Sequence, residues 1–407
     1  MPKEDAIIVG LDVGTTKVCA IVGEIGDDGR IDIIGIGAHP SRGIKKGMVV
    51  NIESTVDAIR RAVEEAERMA GAKIDSVYTG IAGGHIKGFS SRGVIAIKNH
   101  EVSRPDMARA LETAGAVAIP ADRRMLHMIP KEYIVDTQDG IRDPLGMSGV
   151  RLEAEVHIIT GATSAIENIE KSIRRAGLSM IDMVLQPLAS SEAVLTPEER
   201  DIGVAMVDIG GGTTDLAFFA DGSIHHTSVI AVGGNHFTND IAIGLRTPPA
   251  DAEKIKIKYG CAQAGHVRDG EMIDVPSVGG RPSRLMSRQT LAEVIQPRAE
   301  EIFTLVREEI EQCGLADRLA SGVVITGGTS ALAGMIEVAE QTLGYPIRRG
   351  IPSGLGGLID VVSEPMYATG VGLVLYAARR SDLRPTPNGS MLDRMKHRMS
   401  EWISEIF

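Results

Sequence analysis

Apolar and polar positions along the chain fall into blocks, and the blocks come in the same order twice. The first series opens with "AIIVGLD", an apolar run of strand length, then the glycine turn "VGTT", a second run "KVCAIVGE" and a third, "IDIIGIGAH". These predict a hairpin with a neighbouring strand. "NIESTVDAIRRAVEEAERMA" then places Ile52, Val56, Ile59 and Val63 at steps of three and four, which predicts an amphipathic helix, and "SVYTGIAGG" returns as a strand ending in glycines. From residue 203 the series restarts. "GVAMVDIG" reads as a strand, "GGTTD" as the turn, "LAFFADG" and "SIHHTSVIAVGG" as strands, "NHFTNDIAIGL" as the start of a helix and "GVVITGGTS" as a strand ending in glycines. A duplicated α/β unit is therefore expected, and two like lobes face to face enclose a cleft.

The turns suggest what that cleft receives. "LDVGTTK", Leu11 to Lys17, and "VDIGGGTTD", Val207 to Asp215, each follow an apolar strand, and their leading aspartates, Asp12 and Asp208, stand 196 positions apart. Glycine and threonine in a tight turn offer several backbone N–H groups and hydroxyls to one anion, and glycine lets the backbone approach without a clashing Cβ. One such turn is equally an ordinary hairpin loop. Two of them, each entered through Asp, point to phosphates, with Asp12 and Asp208 placed to hold the water shell of a bridging Mg2+. A third glycine segment, "ITGGTSALAG" from Ile325 to Gly334, offers backbone to a flat ring or an α-phosphate. Upstream, Glu253 and Lys256 lie three apart on one helical turn and can face a ribose or adenine. Gln186, just ahead of a helix of small residues, is a candidate for positioning a water against a terminal phosphate, which completes a catalytic set of Asp12, Gln186 and Asp208.

Taken in order, these segments resemble the superfamily of actins, DnaK-type chaperones and hexokinases: phosphate loop, connecting helix, phosphate loop, adenosine loop and a second connecting helix, here Met366 to Arg380. Within it the whole length is most similar to the FtsA family of bacterial cell-division proteins, through "GLDVGTTKVCAIVGE", "GGNHFTNDIA", "AEKIKIKYGCA" and "SRQTLAEVIQPR". The resemblance implies duplicated actin-like (ribonuclease H-like) α/β lobes. It also implies an ATP site of Gly14, Thr15, Thr16 and Lys17, Gly210, Gly211, Gly212, Thr213 and Thr214, Gly234 and Asn235, Glu253 and Lys256, and Gly327, Gly328 and Thr329. ATPase activity is expected to be weak at most. Self-association into filaments, other division proteins as partners and a place on the cytoplasmic face of the inner membrane at the septum follow from the same resemblance. A sugar-type kinase is the alternative, and a DnaK-type chaperone a third reading that the 30 or so residues after the second connecting helix disfavour.

Two insertions modify the repeat. After "IDIIGIGAH" the chain passes through "PSRGIKKGMVV" directly to its helix, leaving no room for a subdomain there, whereas residues 84–160 follow the closing strand as extra material reading as strands around a helix. An FtsA-type displaced subdomain is expected over 84–160. Its flanks, 1–83 and 161–200, make the first lobe; 201–246 and 301–378 make the second, with a further inserted subdomain at 247–300. There "SVGGRPSRLMSRQ" suggests a hairpin, and Arg281, Arg284, Arg288 and Arg298 give a basic face on an acidic chain. The resemblance assigns this face to the C-terminal peptide of the tubulin-like division protein FtsZ, with Arg284, Arg298 and Glu301 the first choices.

Composition narrows the class. With 407 residues, 43% of them hydrophobic, the chain can bury a large core, and a net charge of −11 argues against a nucleic-acid binder. Cys19, Cys261 and Cys313 form neither a CxxC pair nor a disulfide frame, which suits a reducing cytoplasm. Neither a signal peptide nor an apolar stretch of spanning length is present. Residues 379–390, "RRSDLRPTPNGS", read as a flexible linker. The tail, 391–407, sets Leu392, Met395, Met399, Trp402, Ile403 and Ile406 on one stripe and ends in Phe407, which predicts an amphipathic helix for a membrane surface.

Overall fold

The computed structural model describes residues 7–26 and 28–381; the linker and tail expected over 379–407 therefore lie outside it from residue 382 onward, including every residue of the expected membrane stripe. Strand β1 (Ile7–Val13) pairs antiparallel with β2 (Lys17–Ile25), Asp12 opposite Cys19, and β3 (Ile31–Pro40) pairs with β2. Helix α1 (Ile52–Ala70) starts at Asn51, whose side chain accepts the Ser54 N–H at 3.0 Å, and stops at Gly71 in the left-handed region. Its face of Val56, Ile59, Ala62, Val63 and Ala66 is buried over β2 and β3. Strand β4 (Ser76–Ile81) then runs parallel to β1.

The chain next leaves the lobe. Strands β5 (Lys87–Ala96), β6 (Arg123–Val135), β7 (Gln138–Ile141) and β8 (Arg151–Ala162) form a separate antiparallel sheet in the order β5-β8-β6-β7, with α2 (Arg104–Gly115) on it. This subdomain has its own core, built on Met107, Leu111, Tyr133 and Leu152. Helix α3 (Thr163–Ala176) and strand β9 (Ser179–Leu185) bring the chain back beside β4, and α4 (Gln186–Val194) crosses to the second half.

The second lobe repeats the first. Strands β10 (Val204–Ile209), β11 (Thr214–Ala220) and β12 (Ser223–Ile230) are antiparallel neighbours. Helices α5 (Gly234–Gly244) and α6 (Pro249–Tyr259), the hairpin of β13 (Met272–Val275) and β14 (Arg284–Ser287), and α7 (Arg288–Gln312) precede β15 (Val323–Thr326), parallel to β10. Helix α8 (Met335–Leu343) and β16 (Ile347–Arg349) complete it, and α9 (Ala368–Ser381) returns to pack on β1 and β2 of the first lobe. The strand orders β3-β2-β1-β4-β9 and β12-β11-β10-β15-β16 match position for position, and the first sheet alone carries a sixth strand, Gly356–Gly357, beside β3. The boundary expected at residue 300 falls inside α7, a single helix of 25 residues.

Helices α4 and α9 hold the lobes together. A Cβ on Gly372 would overlap the Ala189 carbonyl, and one on Gly10 would stand 2.5 Å from the Gly370 carbonyl, so α9 meets both α4 and β1 backbone to backbone. The apolar cluster around Leu11, Ile21, Ile59 and Leu185 continues through this contact to Met206, Ala217 and Phe219 of the second sheet.

Candidate functional site

The two turns that end β1 and β10 are the same turn. Gly14 N donates to Lys17 O, and Gly210 N to Thr213 O, each at 3.0 Å, closing loops of equal length between paired strands. They meet tip to tip: a Cβ on Gly212 would stand 2.7 Å from Thr15 Oγ1, and one on Gly211 would overlap Thr16 Oγ1. The glycines of the second turn are thus imposed by the threonines of the first.

The second lobe stacks its other expected residues behind this contact. Gly234 N donates to Gly210 O and Asn235 N to Gly211 O, at 2.9 and 2.8 Å, while Thr329 Oγ1 donates to Gly210 O at 3.0 Å. Lys256 Nζ donates to Gly234 O at 3.0 Å and to Glu253 at 2.8 Å, so the two side chains meet at the start of α5. Gly327, at φ 83, lies where a Cβ would overlap Asp208 Oδ1, and Gly328 follows it beside Met366.

Three buried carboxylates lie under the turns. Asp12 accepts from Gln186 Nε2 at 3.0 Å, Asp208 from Ser190 Oγ at 2.7 Å and Thr369 Oγ1 at 3.4 Å, and Asp215 from Thr213 Oγ1 at 2.8 Å. Burial pushes Asp12 up to about 7, opposed by the Lys17 ammonium and reinforced by the Asp208 charge. Burial likewise pushes Asp215 up to about 7, with Asp208 adding to it, and raises Asp208 against its two hydroxyl donors. Asp215 Oδ1 is buried with no hydrogen-bond partner. Lys17 is held above the Tyr367 ring, 3.7 Å from its centroid, with no acceptor for its Nζ, and burial lowers its pKa.

Asp215, Ser190, Thr369 and Tyr367 were absent from the expected site. Asp215 was legible, since strand register puts it opposite Asp208. The other three come from the connecting helices or the turn before α9, and no local motif marks them. Three of the four arginines expected on a basic face have partners: Arg284 donates to Leu245 O, Arg288 to Tyr259 O and Glu271, and Arg298 to Asp240 at 2.7 and 3.1 Å and to Glu301. Of the four, Arg281 and Arg284 are exposed with no ion pair among the described residues.

Residues 205–372 match the family model "Cell division protein FtsA", and residues 83–160 match "SHS2 domain inserted in FTSA". The cell division protein FtsA of Pseudomonas aeruginosa is 54% identical over 374 residues, covering 92% of this chain and 90% of the relative. The chain belongs to the FtsA family. The FtsA of Escherichia coli (strain K12) is 45% identical over 377 residues, covering 91% of this chain and 90% of its own length. This FtsA-family chain is thus an actin-like cell-division protein, and the sugar-kinase alternative is not favoured. Its fold is shared by a solved PilM–PilN type IV pilus biogenesis complex, with a TM-score of 0.66, 17% identity and coverage of 91% and 98% of the two chains. It is also shared by MreB5 of Spiroplasma citri bound to ADP, with a TM-score of 0.58, 15% identity and coverage of 93% and 98%. No helix among the described residues is long and apolar enough to cross a membrane.

Proposed function

We propose that this FtsA-family protein binds ATP with Mg2+ between its lobes, polymerises, and ties the FtsZ division ring to the cytoplasmic membrane through the amphipathic helix expected at 391–407. The observation that carries the nucleotide reading is the convergence of the two identical turns on one point, over three buried carboxylates. The residues fit the group. Asp215 Oδ1 lacks a partner, and a Cβ on Gly234 would crowd Thr329 Oγ1 at 2.5 Å, leaving a Cβ-free surface beside Lys256.

Among the described residues no three His, Cys, Asp or Glu side chains converge as direct metal ligands. That suits Mg2+, which keeps several waters and takes its remaining ligands from phosphate. Asp12 and Asp208 would hold those waters; the ion supplies neutralisation of the terminal phosphates. Gln186, hydrogen-bonded to Asp12, would orient a water, and with that amide already engaged, hydrolysis is expected to be weak. Titration calorimetry tests the reading: Asp12→Ala and Asp208→Ala should each weaken Mg-dependent ATP binding by roughly 10- to 100-fold, the range of one charge-assisted contact. Unchanged affinity in both variants would remove the cleft assignment.

A further inference from the structure

The segment that stands where the repeat has no room for a subdomain is a two-residue hairpin, Ile44 and Lys45 paired with Val49 and Met48. Its central residues, Lys46 and Gly47, have φ 50 and 75, the left-handed pair that a type I′ turn requires. Asn or Asp is the usual choice before that glycine. A lysine there strains the backbone, and such a conformation persists only where the surroundings fix it. They do: Gly47 N donates to Thr15 Oγ1 at 3.1 Å, and a Cβ on Gly47 would stand 2.6 Å from the Ala82 carbonyl.

The turn reaches across the cleft. A Cβ on Gly212 would be 3.1 Å from Lys46 Cα, and a cavity of about 340 Å³ opens between this turn and the start of α5, lined by Lys45, Lys46, Gly212, Asn235, His236 and Asn239 among others. No carboxylate lines it. Lys45 and Lys46 are exposed and form no ion pair among the described residues. Charge gives them a use. Three carboxylates lie under the turns, and the one lysine of the first loop, Lys17, is turned against Tyr367. A triphosphate entering here needs cations beyond Mg2+, and the two free lysines border the same glycine turn.

We infer that Lys45 and Lys46 clamp the terminal phosphate of a bound nucleoside triphosphate from the cavity side, so that this hairpin distinguishes triphosphate from diphosphate. The inference rests on the cleft being the nucleotide site. It is tested by calorimetry of the full chain with Mg-ATP and with Mg-ADP. Lys46→Asn suits the left-handed turn and preserves the hairpin while removing the charge; combined with Lys45→Gln it should lower ATP affinity about tenfold or more, equivalent to about 1.4 kcal/mol, and leave ADP affinity within about twofold. Lys46→Arg should keep the preference. Equal losses for both nucleotides, or no loss for either, overturn the clamp while leaving the cleft assignment standing. A wild-type chain that binds neither nucleotide overturns both.

Discussion

Asp215 shows what the site costs the protein without a ligand. Its carboxyl is buried and raised from 3.8 to about 7, so the folded chain holds a proton that the unfolded chain has lost over that interval. The contribution to stability is full below about pH 4 and is lost as pH rises through 7, with Asp12 acting in the same direction. Stability should therefore fall from pH 5 to pH 8, and Asp215→Asn should flatten the fall and gain roughly 1–3 kcal/mol at pH 8. Denaturant melts at the two pH values check this; a variant that follows the wild-type slope contradicts it. The expected residues around Asp12, Gly14, Gly210 and Lys256 were legible because each belongs to a short motif with a local reason. Ser190 and Thr369 were not, because their hydroxyls reach Asp208 only once the connecting helices have crossed.

Among the elements, α4 and α9 decide how the lobes meet. Helix α4 presents Gln186 to Asp12 of the first lobe and Ser190, one turn on, to Asp208 of the second. Its closeness to α9 depends on Gly372, where an added Cβ would overlap Ala189 O. Gly372→Ala is expected to cost about 1–3 kcal/mol in denaturant unfolding. Gly265→Ala, where nothing lies within 4 Å of the added atom, serves as the neutral control. Equal stabilities would contradict the backbone contact. Helix α7 is the second such element. Arg298 is held by Asp240 and Glu301, so an acidic FtsZ peptide would have to displace these carboxylates. Arg298→Glu should abolish measurable peptide binding by anisotropy, whereas Asp240→Asn, which leaves the guanidinium paired with Glu301 alone, should tighten it. Unaltered binding in both variants would remove this helix from the interface. The main strands and helices of the two repeats were legible from periodicity, but the two-residue hairpin at 44–49 and the unbroken run of α7 across residue 300 were not.

At the scale of the whole molecule, the duplication was legible because strand order and turn chemistry repeat together, and the extra sheet was legible because it interrupts that repeat at one place. How the lobes close was not, since Gly211 against Thr16 is a contact between residues nearly 200 positions apart. The adaptor reading depends finally on the tail. The helix expected over 391–407 would be a rod of about 25 Å, which would turn Trp402, Ile403, Ile406 and Phe407 to lipid and Arg394, Lys396 and Arg398 to headgroups, each worth about 1 kcal/mol near an anionic surface. One copy should bind weakly. Polymerisation would gather many copies and raise affinity by roughly 100-fold or more. The most direct measurement is co-sedimentation of the full chain with anionic vesicles in Mg-ATP, alongside a chain ending at residue 390 and the Trp402→Glu variant, with emission from Trp402, the only tryptophan, read in the same samples. The account predicts ATP-dependent sedimentation and a blue-shifted emission for the full chain, and loss of sedimentation in both variants. Equal sedimentation of all three, with unshifted emission, would contradict it.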